Sequence, residues 1–187
     1  MHRAESELRL VQRISRFFAK TPRLPNALRL SVEWVAEFLH AESGLLYLTS
    51  GDELVLCAAA GPSQRAVGEV RLRLDEGLTG WVARERRLLA ISREAYLDPR
   101  FKYFRDLPED TFEAFLSAPV IARNRVVGVI NIQHRQHRGH TGEEMELLTT
   151  VGEQLGGLVT IGCVEAERFD TSDFAEMVLG QSLAARG

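Results

Sequence analysis

The sequence predicts an α+β fold: an antiparallel sheet with amino- and carboxy-terminal helices on one face, and a ligand pocket under a short helix and a long loop on the other. Three observations carry this. Apolar residues recur at spacings of three and four at both ends of the chain. Between the ends lie short apolar or alternating runs, most of them joined by tight turns. The stretch FLSAPVIARNR followed by VVGVINIQ reads as two apolar strands joined at Arg123-Asn124-Arg125. Hairpin connections make the sheet antiparallel, and helices at the two ends are the natural cover for one of its faces.

The elements follow in order. Residues 5–20 form an amphipathic helix, with Leu8, Val11, Ile14 and Phe18 in one stripe and Leu10 and Phe17 beside it. Pro22 and Pro25 break it, and a second helix carries Leu28, Val32, Val35 and Leu39 on one face, with Asn26 as its expected N-cap. GLLYLTS and ELVLCAAAG are strands about the turn Ser50-Gly51-Asp52. Residues 67–74 alternate, with Val70, Leu72 and Leu74 on one face, as in a half-solvated strand. Gly77 and Gly80 bracket a short helix over about 79–86, and LLAIS is the next strand. Residues 93–112 hold no regular pattern, and so long a connection in a compact domain is often functional. After the hairpin, residues 142–168 form a closing helix, with Thr141 as N-cap and Glu144 completing a capping box. Residues 169–187 read as a flexible tail or truncated linker. The expected organisation is thus a signalling or dimer helix over 1–23, a domain over 24–168 and a tail over 169–187.

Composition narrows the function. A chain of 187 residues, 45% apolar and 26% charged, is one ordinary globular domain. A net charge of -3 offers no electrostatic footing for direct binding of nucleic acid. No apolar run reaches the roughly 20 residues that span a bilayer, so no membrane partner is expected. The amino terminus lacks the pattern of a signal peptide, and two cysteines make no disulfide framework, so the expected location is cytoplasmic.

Four motifs, in this order, resemble the GAF domain family over about residues 24–162: Gly77-Leu78-Thr79-Gly80-Trp81-Val82-Ala83, Asp98-Pro99-Arg100-Phe101, Ala118-Pro119-Val120-Ile121 and Val126-Val127-Gly128-Val129-Ile130. Within the family, DPRFKYFRDLPEDTFEAFLSAPVI is similar to the branch found at the amino terminus of nitrogen-related phosphotransferase enzyme I. The resemblance implies a GAF-like sheet and a sensory or regulatory domain in nitrogen regulation. It implies no enzymatic activity, a small-molecule ligand, a homodimer, and an output domain or partner protein outside this chain. The bulk of Trp81, filling space that ligand occupies in other members, favours an amino acid or small anion over a cyclic nucleotide, and the signature of cyclic-nucleotide-binding members is not recognisable. The phosphohistidine and phosphoenolpyruvate-binding domains of the enzyme are not in this sequence.

Strand parity selects the pocket residues. Asn131 and Gln133 share a face with Val129, while Ile130 and Ile132 point oppositely. The isoleucines belong under the helices; Asn131 and Gln133 face either the pocket or solvent. Tyr47 lies opposite Leu46 and Leu48 by the same argument, and Phe115 and Ser117 share a face of the first hairpin strand. Ser117 has no visible base and is no nucleophile. The loop carries Phe101, Tyr103 and Phe104 with Tyr96, which either close over a ligand as a lid or seal the core edge. Trp81 roofs the pocket from the short helix and restricts its size. The candidate ligand-binding set is therefore Tyr47, Trp81, Phe101, Tyr103, Phe104, Phe115, Ser117, Asn131 and Gln133.

Other candidates are discounted. His134, His137 and His140 have the spacing of a metal site, but Arg135, Arg138 and an arginine across the hairpin repel a divalent cation. The segment is read as a solvated loop with some pH sensitivity, and neither metal nor cofactor is expected. Cys57 lies in a strand and Cys163 on the closing helix, far apart, which argues against methionine-sulfoxide reductase chemistry. Residues 78–117 hold no cysteine for a covalent bilin. Apolar residues on more than one side of the first helix favour packing of terminal helices in a homodimer.

Overall fold

The computed structural model describes residues 2–20, 23–102, 112–165 and 174–184. In chain order the elements are α1 (His2–Phe18), α2 (Leu24–Phe38), β1 (Ser43–Ser50), β2 (Glu53–Ala60), β3 (Arg71–Arg73), α3 (Gly77–Glu85), β4 (Leu89–Ile91), β5 (Ala114–Ala122), β6 (Arg125–His134), α4 (Gly142–Glu165) and α5 (Phe174–Ala184). Single 3-10 turns cover Pro62–Ala66 and Ala95–Leu97. The six strands form one antiparallel sheet in the order β3-β2-β1-β6-β5-β4.

Period-two alternation divides the sheet into two sides. Leu46, Leu48, Val55, Cys57, Leu116, Ala118, Ile130 and Ile132 enter the core built with α1, α2, α4 and α5. Leu45, Tyr47, Leu54, Leu56 and Val129 point the other way, where Val82 and Ala83 of α3 cover them. The expected parity of Val129 against Ile130 and Ile132 is the one observed. Small residues let the helices approach: a Cβ at Gly152 of α4 would meet the Pro119 carbonyl oxygen at 2.9 Å, and one at Gly156 would fall on the Ile121 carbonyl. Pro119 sits in β5 beyond the residues that β4 pairs, Phe115 to Ser117, so its missing N–H leaves no gap in that ladder. Arg123 and Asn124 both have positive φ, 47° and 61°, as the two-residue turn of a twisted hairpin requires.

Local signals read from sequence fare unevenly. The capping box is present: Glu144 N–H donates to Thr141 Oγ1 and Thr141 N–H to Glu144 Oε2, each at 3.2 Å. Asn26 is not the N-cap of α2. The helix starts earlier, at Leu24 with Arg23 as N-cap, because the fixed φ of Pro25 suits the first helical turn rather than breaking it. The strand expected over 67–74 is only three residues long. Gly68 turns the chain with φ +88°, and pairing with β2 begins at Arg71. The tail needs correction as well. Residues 174–184 form helix α5, which buries Phe174, Ala175, Met177 and Val178 against the helix-side core. The remaining tail positions lie outside the described residues.

Candidate functional site

The face under α3 is apolar with a polar centre. The ladder sets residues in rows across it: Leu45, Asn131, Ser117 and Leu89 in one, and Ser43, Gln133, Phe115 and Ile91 in the next. Ser117 and Asn131 are direct cross-strand partners, so the Ser117 hydroxyl donates to Asn131 Oδ1 at 2.6 Å. Asn131 Nδ2 in turn donates to Thr79 Oγ1 at 2.8 Å, tying the sheet to α3. Ser117 and Asn131 are 0% and 1% exposed, so these bonds replace water that neither group can reach. Gln133, half-buried, accepts from the Ser43 hydroxyl at 2.8 Å. Tyr47 is fully buried beside Val129 and Val82, and burial pushes its phenol well above the ordinary range. Phe115 packs with Leu78, Ala95 and Phe101 under the first turn of α3.

The segment after β4 is pinned to the outside of α3. Asp98 accepts three hydrogen bonds from Arg100, from its backbone N–H at 2.9 Å and its Nε and Nη2 at 2.8 and 2.7 Å. These bonds hold the Asp98 carboxyl below the usual carboxylate range. They also plant the guanidinium over the Trp81 ring, 4.7 Å from its centroid. Lys102 pairs with Glu76 at the start of α3 and lowers its pKa. Trp81 is half-buried, outward of the core formed by Val82 and Tyr47.

The structure thus brings Tyr47, Phe115, Ser117, Asn131 and Gln133 onto one face, with Trp81 and Phe101 at its cover. Phe101 packs on the core edge. Tyr103 and Phe104 lie outside the described residues. Thr79 was missed by sequence reasoning. It sits with Val82 and Ala83 at spacings of three and four, so a lone hydroxyl on the inward stripe of a short helix was the available signal.

The histidine segment differs from the solvated loop expected of it. His137 is exposed, but the side chains of His134 and His140 are 5% and 1% exposed. Arg138 points inward, donating to the Leu39 carbonyl at the end of α2 and to the buried Glu144 carboxylate. Glu144 is the counter-charge that makes this burial possible, and its cap role masked it in the sequence. Among the described residues no group of three or more metal-ligating side chains comes together. Cys57 belongs to the helix-side core, on the opposite side of the sheet from Asn131, and burial pushes its thiol up to about 12. No helix among the described residues is long and apolar enough to cross a membrane.

Comparison with known proteins agrees with this architecture. The GAF domain profile matches residues 23–159. A phosphoenolpyruvate-dependent phosphotransferase system protein of Salmonella typhimurium is 30% identical over 150 residues, 79% of this chain but 20% of that protein, so the chain spans about a fifth of this relative's length. The GAF domain from a phosphoenolpyruvate-protein phosphotransferase of Coxiella burnetii superposes with a TM-score of 0.80 at 27% identity, covering 88% of this chain and 98% of that one. Its Acinetobacter counterpart gives 0.78 at 27% identity, covering 85% and 95%. With profile, sheet order and helix placement in agreement, the chain belongs to the GAF domain family.

Proposed function

We propose that this domain is a sensor: a small polar molecule, an amino acid or small anion, enters between the α3 face of the sheet and the segment after β4 and biases a helical dimer. The observation that carries the reading is the Ser117–Asn131–Thr79 chain of hydrogen bonds at the centre of an otherwise apolar wall. The donors and acceptors of this network can be handed to a polar ligand that enters beside it. Asn131 keeps a second amide hydrogen and a second oxygen lone pair beyond the two bonds it makes. Two large apolar side chains lie exposed on the terminal helices, Leu8 of α1 at 56% and Ile161 of α4 at 57%, and support pairing of two copies there. In this reading the sensor works in nitrogen regulation, upstream of an output domain or partner protein, with glutamine the first ligand to try; the similarity to phosphoenolpyruvate-dependent phosphotransferase system proteins supports it. The reading gives Cys57 no redox role: its thiol, raised to about 12 by burial, holds almost no thiolate at neutral pH.

A thermal-shift screen of amino acids, 2-oxoacids, nucleotides and nitrate tests it. A ligand at about 100 times its Kd adds about 2.7 kcal/mol, which raises Tm by several degrees. One class should do so, and Asn131→Ala, still folded by circular dichroism, should lose the shift. A second reading, a dimerisation scaffold without ligand, is favoured by the closure of Tyr47, Ser117 and Asn131. A flat screen with an intact dimer would establish that reading in place of the sensor.

A further inference from the structure

The outer face of α1 bears Arg9, Arg13 and Arg16, continued by Lys20 in the turn that follows. At 3.6 residues per turn the three arginines fall within about 60° of arc, and with Lys20 the row extends over roughly 16 Å. They border an open groove of about 440 Å³ between α1 and α2, floored by Phe17 and Trp34. The two rings meet edge to face, with centroids 5.2 Å apart, and Arg13 lies 4.1 Å over the Trp34 ring. Among the described residues no carboxylate pairs with any of the four cations; Arg9 bonds only the Ser6 hydroxyl. The nearby Glu33 is turned away, paired with Arg29 at 2.6 Å. Four like charges on one helical stripe repel one another, and an isolated helix gains nothing by such spacing.

We infer that this groove docks an acidic polypeptide segment of a partner protein, its carboxylates on the arginine stripe and an apolar side chain on the Phe17–Trp34 floor. Charge complementarity selects the class of partner, and the length of the stripe selects the size. A nucleic-acid strand would run past the stripe onto a molecule of net charge -3, with Glu5 one turn before Arg9 and Glu37 one turn beyond Trp34. A short acidic segment ends where the stripe ends. The site lies on the helix side of the sheet, away from Asn131, so it stands independently of the ligand reading above.

The test uses the full chain and a fluorescein-labelled peptide of about a dozen residues, with glutamates at spacings of three and four around a central leucine. Anisotropy should show saturable binding that weakens about tenfold from low to near-physiological salt. Arg13→Glu/Arg16→Glu should weaken it at least about tenfold, and Arg9→Gln/Lys20→Gln, which leaves the Trp34 contact in place, by a smaller factor. Arg73→Glu/Arg84→Glu, on β3 and α3 and outside the groove, should leave Kd unchanged. Circular dichroism melts confirm that each variant is folded. Unchanged affinity in both stripe variants, or no peptide binding, overturns the proposal. So does tighter binding of a DNA duplex or of phosphatidylglycerol vesicles than of the peptide. A shift of the monomer–dimer equilibrium by the stripe variants in sedimentation velocity also overturns it, by making the stripe a contact between copies.

Discussion

Asn131 and His134 lie three residues apart on β6 and show two ways of burying a polar side chain. Asn131 meets its needs laterally, through a cross-strand serine and a threonine on α3. His134 is buried as a neutral ring in a cluster with Arg138, His140, Glu42 and Glu144. Burial first, then the charge of Arg138, pulls its pKa from 6.5 to about 4. Because the folded pKa is depressed, protons bind the unfolded chain more tightly. The associated stability is complete above pH 6.5 and is lost as the pH falls toward 4. The full effect is on the order of 3 kcal/mol. His140, also lowered mainly by burial, adds to it in the same direction. Urea midpoints should therefore be flat above neutrality and fall below pH 6.5, and His134→Phe should flatten that slope. An equal slope in the variant would place the acid sensitivity elsewhere.

At the scale of elements, α4 shows what a helix needs in order to lie on a sheet. Gly152 and Gly156, one turn apart, carry no side chain where the helix meets the β5 carbonyls, while Gly157 faces open space. Adjacent glycines therefore predict opposite effects. Gly156→Ala should destabilise by about 1–3 kcal/mol through overpacking against Ile121. Gly157→Ala should stabilise by up to about 1 kcal/mol through helix propensity alone. Chemical denaturation of the two variants decides it, and a loss of stability in both would mean that the helix does not approach β5 through Gly156. The apolar period of α4 is plain in the sequence, but a pattern of glycines does not say which of them meets a backbone. That depends on the rotation of the helix against the sheet.

Over the whole molecule, the helix side of the sheet is closed by a fourth helix. α5 buries Phe174, Ala175, Met177 and Val178, and Glu176 on its exposed side pairs with Arg71 of β3 at 2.7 Å. Removing the chain after Glu165 should cost roughly 3 kcal/mol or more, by the apolar side chains returned to water, and should create a site for the dye ANS. Unchanged urea stability after truncation would show that α5 does not hold this position in solution.

The period of apolar residues determined which segments are helices and which are strands, and alternation along β6 determined which side chains share a face with Asn131. These properties repeat within a few residues, so the sequence displays them directly. The short apolar period of α5 is weak, with small residues on every side, and its helicity rests on docking. The partners of Asn131, the inward turn of Arg138 and the start of α2 at Leu24 likewise came only from the tertiary structure. A hydrogen bond from Asn131 to Thr79 joins positions 52 apart, and one from Arg138 to the Leu39 carbonyl spans 99. Such contacts exist because sheet register and helix packing bring distant backbone together, and no local pattern encodes the rotation and offset of that packing.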